Sequence, residues 1–375
     1  MAVAACCGGR PPLSSLDMEQ EPAHRRRHTG SSFLNLIRRH HLALQVAVGA
    51  AFLALLAWRI DLAEALRGLG DVDARWLAAA AVAFVLTTGV EGGRWWLLLS
   101  YRAHVPVLPT MFLYAVSRMA NMLLPLRGGD LVRIHIAGRR FQIPRTEVAA
   151  TVFAVETPLN WITSVALLIV ALSVLDLPVL NLAYLPRRLL VALAVLLSVG
   201  FFTVVAISRA DRSRDYAHRW PLRLLPQRVR RGLADFTGRF LEGTETLRDS
   251  RRLVVALGVS MLIWIAQTIV FWCLGEAFGF GLFPAEYALV TVGSVLVRTL
   301  PLSPSDIGPY EVVITQALVL LGVDATAAGS YAIGAHLWLL VLTGAMGLFA
   351  LWALDLKLTD IAAERQEDAT PPLSS

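Results

Sequence analysis

Six stretches of this chain, residues 42–60, 76–99, 147–175, 189–208, 253–278 and 331–354, are apolar over most of their length and are separated by charge-rich connections. The hydrocarbon core of a bilayer is about 30 Å thick and is crossed by about 20 helical residues, so such runs are membrane spans before they are anything else. Composition agrees, because 56% of the 375 residues are hydrophobic and only 17% charged, against about 25% charged in soluble domains. Mean hydropathy is +0.59. A water-soluble globule of this size has more surface than these polar groups can cover. No stretch alternates apolar and polar residues for the about ten positions of an outer-membrane strand. The chain reads as an all-α integral membrane protein with about six transmembrane helices.

The charge distribution orients it. Residues 1–40 carry six Arg and three acids, whereas the connection at 61–75 carries four acids and two Arg. That asymmetry places the N-terminal arm, Pro-rich and expected to be disordered, in the cytoplasm. Residues 127–145, with five Arg and one acid, and the loop at 209–252, with twelve Arg and six acids, fall on the same side. The polytopic domain then covers residues 41–355, and a short acidic cytoplasmic tail follows at 356–375. A formal charge of +6 on a membrane chain serves orientation and anionic lipid, so nucleic acid is not an expected partner. Cys6 and Cys7 lie in the arm and Cys273 in a span, which gives neither a disulfide framework nor metal-ligand spacing. Neither a metal nor a cofactor is expected.

Three apolar stretches are too short to cross. Residues 110–126 span about 26 Å as a helix and already include Arg118 and Asn121. Residues 288–300 and 312–323 are shorter still and flank Pro301, Pro304, Asp306, Gly308 and Glu311. The first segment reads Arg118, Asn121, Pro125, Arg127, Gly128, Gly129, Asp130, Arg133; the second reads Arg298, Pro301, Pro304, Asp306, Gly308, Glu311. Each has an Arg, then Pro, then an acid beside Gly. With the spans counted as above they enter from opposite faces as re-entrant hairpins, the pattern of an inverted repeat with a site near the bilayer midplane.

Pro and Gly leave peptide groups unpaired, and at membrane depth such groups are tolerated only beside a hydrated cavity enclosed by protein. Ionised side chains there cost about 2.5–3.5 kcal/mol on insertion scales and face a partner or a pathway. Arg118, Asn121, Arg127, Asp130 and Arg133 of the first segment and Arg298, Asp306 and Glu311 of the second are therefore candidate ligands for a headgroup. Glu91, Arg94 and Glu156 are candidates for gating or proton coupling. Arg offers a fork of donors that matches phosphate oxygens, so a lipid phosphate is the natural guest. Plainer readings compete: Arg127 and Arg133 as orientation anchors, Arg94 with Trp95 and Trp96 as an interfacial belt, and Glu91 and Arg94 neutralising each other three residues apart on one helical face.

The run Asn121-Met-Leu-Leu-Pro125-Leu-Arg127-Gly-Gly129-Asp130-Leu-Val-Arg133 resembles the signature of the lysylphosphatidylglycerol synthase transmembrane-region family, also called flippase-like domain proteins. Pro301 to Glu311 resembles the family's second signature, with Ser305-Asp306 where others have a Gly pair, and Arg94-Trp95 suits its second span. Where many members have Glu-Arg-x-x-Asp, this chain has Glu156-Thr157-Pro158-Leu159-Asn160. The resemblance implies a multi-span domain that moves amphipathic lipids between leaflets, here without the aminoacyl-transferase domain of some members. The expected partners are membrane lipids of the phospholipid, polyprenyl-phosphate or hopanoid type, and the expected place is the inner membrane with both termini cytoplasmic. A homodimer and enzymes of envelope-lipid synthesis are the protein partners left open.

The expectation is a translocase and not an enzyme. No Gly-x-x-x-x-Gly-Lys motif is present to drive it with ATP, so movement is downhill or ion-coupled. One rival is a membrane enzyme acting on lipid-linked phosphate or sugar. Another is a scaffold for an envelope-lipid pathway that docks through the Arg-rich loop.

Overall fold

The computed structural model describes residues 47–58, 61–70, 72–100, 104–124, 128–174, 249–299 and 303–356, and among these every regular element is helical. The N-terminal arm, the stretch at 189–208, most of the Arg-rich loop, Arg127 and the tail beyond Leu356 lie outside the described residues. Short helices α1 (Ala47–Trp58) and α2 (Leu62–Arg67) lead into the span α3 (Ala74–Leu99). Then come α4 (Val107–Leu123), α5 (Gly128–Arg140) and α6 (Arg145–Ala150). A wide π-helical turn at Thr151–Glu156 joins α6 to α7 (Thr157–Val174). After the undescribed stretch follow α8 (Ser250–Ala277), α9 (Tyr287–Thr299), a 3-10 turn at Pro304–Asp306, α10 (Pro309–Leu320) and α11 (Ala325–Leu354).

Four of these helical segments are long and apolar enough to cross a membrane: Ala74–Leu99, Arg145–Val170, Ser250–Ala277 and Ala325–Leu354. Three begin on an aspartate whose side chain accepts from the first free backbone N–H groups: Asp73 from Arg75, Asp249 from Arg251 and Arg252, Asp324 from Thr326 and Ala327. An acceptor there satisfies donors that a helix start leaves without partners. Val82, Leu86, Leu262, Ile265, Leu337, Val341 and Trp352 stand exposed on the spans, as side chains that meet lipid do.

The short apolar stretches break close to where the sequence places the breaks. Helix α4 stops at Leu123, and α9 and α10 are separated by residues 300–308. At 1.5 Å per residue the 17, 13 and 12 residues of these helices reach about 26, 20 and 18 Å, short of a hydrocarbon core. The charge count did not reveal one element. Residues 127–145 read as a cytoplasmic connection, yet Gly128–Arg140 forms helix α5, packed on α4 with Val132, Ile134, Ile136 and Ala137 buried. Counting Arg treats each one as solvated, whereas Arg133, 3% exposed, has its charge met inside the protein.

The order long, short, break, short, long occurs twice, in α3–α7 and in α8–α11. Helices α3 and α8 pack along each other in opposite directions. Asp73 donates its backbone N–H to the Ala277 carbonyl at one end, and Leu98 packs on Ala256 near the other. Exchanging the two halves also maps the packing onto itself: α4 lies on α11 as α9 lies on α7, and α4 on α5 as α9 on α10. Antiparallel halves with interchangeable contacts are what an inverted repeat requires.

Candidate functional site

The wide turn at Thr151–Glu156 delivers the central carboxylate. Thr157 donates its backbone N–H to the Val152 carbonyl five residues back, and its hydroxyl donates to the same oxygen at 2.9 Å. Pro158, which has no N–H of its own, sits just beyond. A π-turn adds a residue to one helical turn, a device common at functional sites. Here it presents Glu156, 4% exposed, to two arginines.

Arg94 comes from α3 and Arg133 from α5. The Arg94 Nη2 lies 3.2 Å from Glu156 Oε1, and its Nη1 donates to Asn160 Oδ1 at 2.7 Å and to Ser260 Oγ at 2.9 Å. The Arg133 Nη2 lies 3.0 Å from Glu156 Oε2 and 3.4 Å from Asp130 Oδ1. Its guanidinium is held between the rings of Trp95 and Tyr114, 4.6 and 5.0 Å from the centroids. Two plainer readings fail here. Arg94 and Trp95 are not an interfacial belt, being 2% and 0% exposed. Nor does Glu91 neutralise Arg94, because Glu91 pairs with Arg118 of α4. Adjacency on one helix is outweighed by partners that packing brings from other helices, where the lower dielectric strengthens each contact.

The first hairpin holds its own parts in place. Ser117 donates its hydroxyl to the Gly129 carbonyl at 2.9 Å, and the Asn121 amide donates to Asp130 Oδ1 at 3.3 Å. A Cβ at Gly129 would lie 2.1 Å from the Ser117 carbonyl oxygen and 2.5 Å from the Asn121 nitrogen. Only glycine lets α5 start this close to the α4 backbone.

The second hairpin turns through positive φ at Ser305 (53°), Asp306 (61°) and Gly308 (97°). Glu311 sits at the third position of α10, where its Oε2 accepts the Gly308 backbone N–H at 2.6 Å. Its other oxygen is hydrogen-bonded to His336 Nδ1 at 2.6 Å, and the imidazole stacks on Tyr310 with centroids 4.1 Å apart. The tips of the two hairpins meet, since Ser305 Oγ donates to the Met122 carbonyl at 2.7 Å.

Between the hairpins lies a cavity of about 280 Å³. Of the residues singled out from sequence, Glu91, Arg118, Asn121, Asp130, Arg133, Glu156, Arg298 and Asp306 line it. Arg94 stands behind Glu156, and Glu311 is one step removed, reaching the lining only through His336. Arg127 lies outside the described residues. Sequence reading did not single out Trp161, Trp264, Gln267, Ser303 or His336, which share the lining. A Gln or Trp inside an apolar run carries no charge to betray it, and its position is legible only once the helices are packed.

The lining sets Arg118, Arg133 and Arg298 against Glu91, Asp130, Glu156 and Asp306. Most of these charges are paired with one another, which leaves an incoming ion few free partners. Arg133 is the exception, since its Nε and Nη1 have no hydrogen-bond partner. Donors of this kind, held rigid at low exposure, suit an oxyanion.

Over 352 aligned residues the chain is 26% identical to the "Glycosyltransferase AglD" of Haloferax volcanii, an alignment that covers 84% of this chain and 54% of the relative. The chain thus spans about half the length of that protein. No solved structure matches it. Residues 42–347, which hold both hairpins and every described residue of the cavity lining, match the model of one family. The chain belongs to the family of the lysylphosphatidylglycerol synthase transmembrane region.

Proposed function

We propose that the cavity receives the polar headgroup of a phosphate-bearing lipid and that the domain passes this lipid between leaflets, without chemistry of its own. The observation that carries the reading is the meeting of two broken helices at a cavity where Arg133, 3% exposed, keeps two donors without partners. About 280 Å³ lies just under the about 300–1,000 Å³ of small-molecule pockets, enough for a headgroup and not for its hydrocarbon tail. The tail stays in lipid while Arg118, Asn121, Asp130, Arg133, Arg298 and Asp306 meet the headgroup. Rocking of α3–α7 against α8–α11 then exposes it to each side in turn. Glu156, Asp306 and the Glu311–His336 pair are the groups placed to take up protons, and the Glu91–Arg118 pair is placed to gate. The inner membrane with both termini cytoplasmic is part of the same proposal.

The test is reconstitution into vesicles with fluorescent anionic, zwitterionic and cationic lipids, scoring leaflet exchange. Wild type is expected to exchange a phosphate lipid, and Asp130→Asn and Arg133→Gln to slow it at least tenfold. Exchange of no lipid, or exchange indifferent to both substitutions, overturns the reading. A second reading, an enzyme acting on a lipid-linked sugar, is favoured by the name of the Haloferax volcanii relative. Release of product from labelled lipid-linked sugar by the purified chain would establish it.

A further inference from the structure

The cavity has two chemically different walls. Most of the ionic groups lie on α3, α4, α5 and the wide turn and are paired with one another, while Arg298 of α9 and Asp306 of the second hairpin complete them. The same cavity is lined from α7 and α8 by Asn160, which accepts from Arg94, and by Trp161, Trp264 and Gln267, without a charged side chain among the four. Trp264 is fixed: its indole N–H donates to Thr163 Oγ1 at 2.6 Å, and that hydroxyl donates in turn to the Leu159 carbonyl. With its only polar atom engaged, Trp264 offers the cavity ring carbon alone. Gln267, one helical turn further along α8 and 5% exposed, has an amide nitrogen without a partner. Ser303, 5% exposed, and Asn121 line the same cavity, and the Ser303 Oγ and Asn121 Oδ1 are likewise without partners.

Leaving a buried polar atom without a partner is costly, and a ligand that satisfies it recovers that cost. The unpartnered set contains a donor in Gln267, an acceptor in Asn121 and a hydroxyl in Ser303 that serves as either. A phosphate supplies acceptors only. An ammonium supplies donors only, and three of the lining carboxylates it would seek, Glu91, Asp130 and Glu156, are already held by arginine. A ring that carries several hydroxyls supplies both, and its C–H faces lie well on indole.

On the reading that the cavity receives a lipid headgroup, we propose that the Trp161–Trp264–Gln267 wall is a sugar subsite, so that the lipid is a glycosyl phosphate with phosphate toward Arg133 and sugar toward α7 and α8. The experiment uses the full chain in lipid nanodiscs and calorimetric titration of three probes: farnesyl phosphate, its hexosyl conjugate, and a short-chain phosphatidylcholine. The conjugate is expected to bind at least tenfold more tightly than farnesyl phosphate. Gln267→Met, similar in size and unable to donate, is expected to bring the two within threefold while leaving farnesyl phosphate within threefold of wild type. Trp264→Leu is expected to do the same. Equal binding of the two phosphates by wild type overturns the subsite and leaves the headgroup reading standing. So does a Gln267→Met chain that still prefers the conjugate. Tighter binding of phosphatidylcholine points the wall at an ammonium and overturns the sugar, whereas binding of no probe overturns both.

Discussion

In the first hairpin the arginines reach out of it: Arg118 to Glu91 on α3, and Arg133 to Glu156 on the wide turn and to the Trp95 ring. In the second the carboxylate turns back, for Glu311 holds the Gly308 N–H at the start of its own helix and His336 on the neighbouring α11. Both sequences carry an acid close after Pro and Gly, yet Asp130 holds Asn121 and the Arg133 that joins its hairpin to the ionic network, whereas Glu311 locks a turn. Matching order in two repeats therefore does not transfer a role from one acid to the other. Position along the helix does, because Glu311 stands where a side chain reaches the free N–H groups of the first turn.

The largest effect expected from breaking this contrast is at Glu156. Glu156→Ala leaves Arg94 and Arg133 buried with their shared counter-charge gone, and removing one partner of a buried pair costs about 3–5 kcal/mol. Thermal unfolding in detergent is expected to show it as a large fall in midpoint. A fall smaller than that of Glu311→Gln would overturn the claim that the ionic hairpin is the more tightly coupled of the two. Next comes Gly129→Ala, whose methyl group meets the α4 backbone and must push the hairpin open, at about 1–3 kcal/mol by the same measurement. Glu311→Gln follows, since an amide keeps the shape and one acceptor, and about 1 kcal/mol of hydrogen-bond strength is at stake. The smallest effect carries the opposite sign. Gly93 in α3 has open space where a Cβ would stand, so Gly93→Ala is expected to raise stability by about 0.5–1 kcal/mol.

Sequence alone made the spans legible because about 20 consecutive apolar residues have few other uses, and it made the breaks legible because Pro and Gly interrupt helices whatever surrounds them. The eight candidate residues that line the cavity were found by the cost of intramembrane polarity, which is local and needs no fold. Pairing was not legible. Glu91 and Arg94 sit three apart, and nothing in one dimension says that Arg118 and Glu156, far along the chain, take their places. Helix α5 was missed for the same reason, since the charge rule assigns every Arg to water while Arg133 lies between two aromatic rings. The neutral wall was missed because Trp and Gln are unremarked within an apolar run until α7 and α8 face one another.

The wide turn at Thr151–Glu156 also sets the rotational phase of everything after it on the same helix. Each residue advances an α-helix by about 100°, so excising one residue from this turn would close it into ordinary α-helix and swing all later side chains by that angle. Asn160 and Trp161 would rotate off the cavity while the span kept its length to within one residue and its apolar character. Whether this rod crosses the bilayer and which way its polar side faces are thus separable properties, the second fixed by a single added residue.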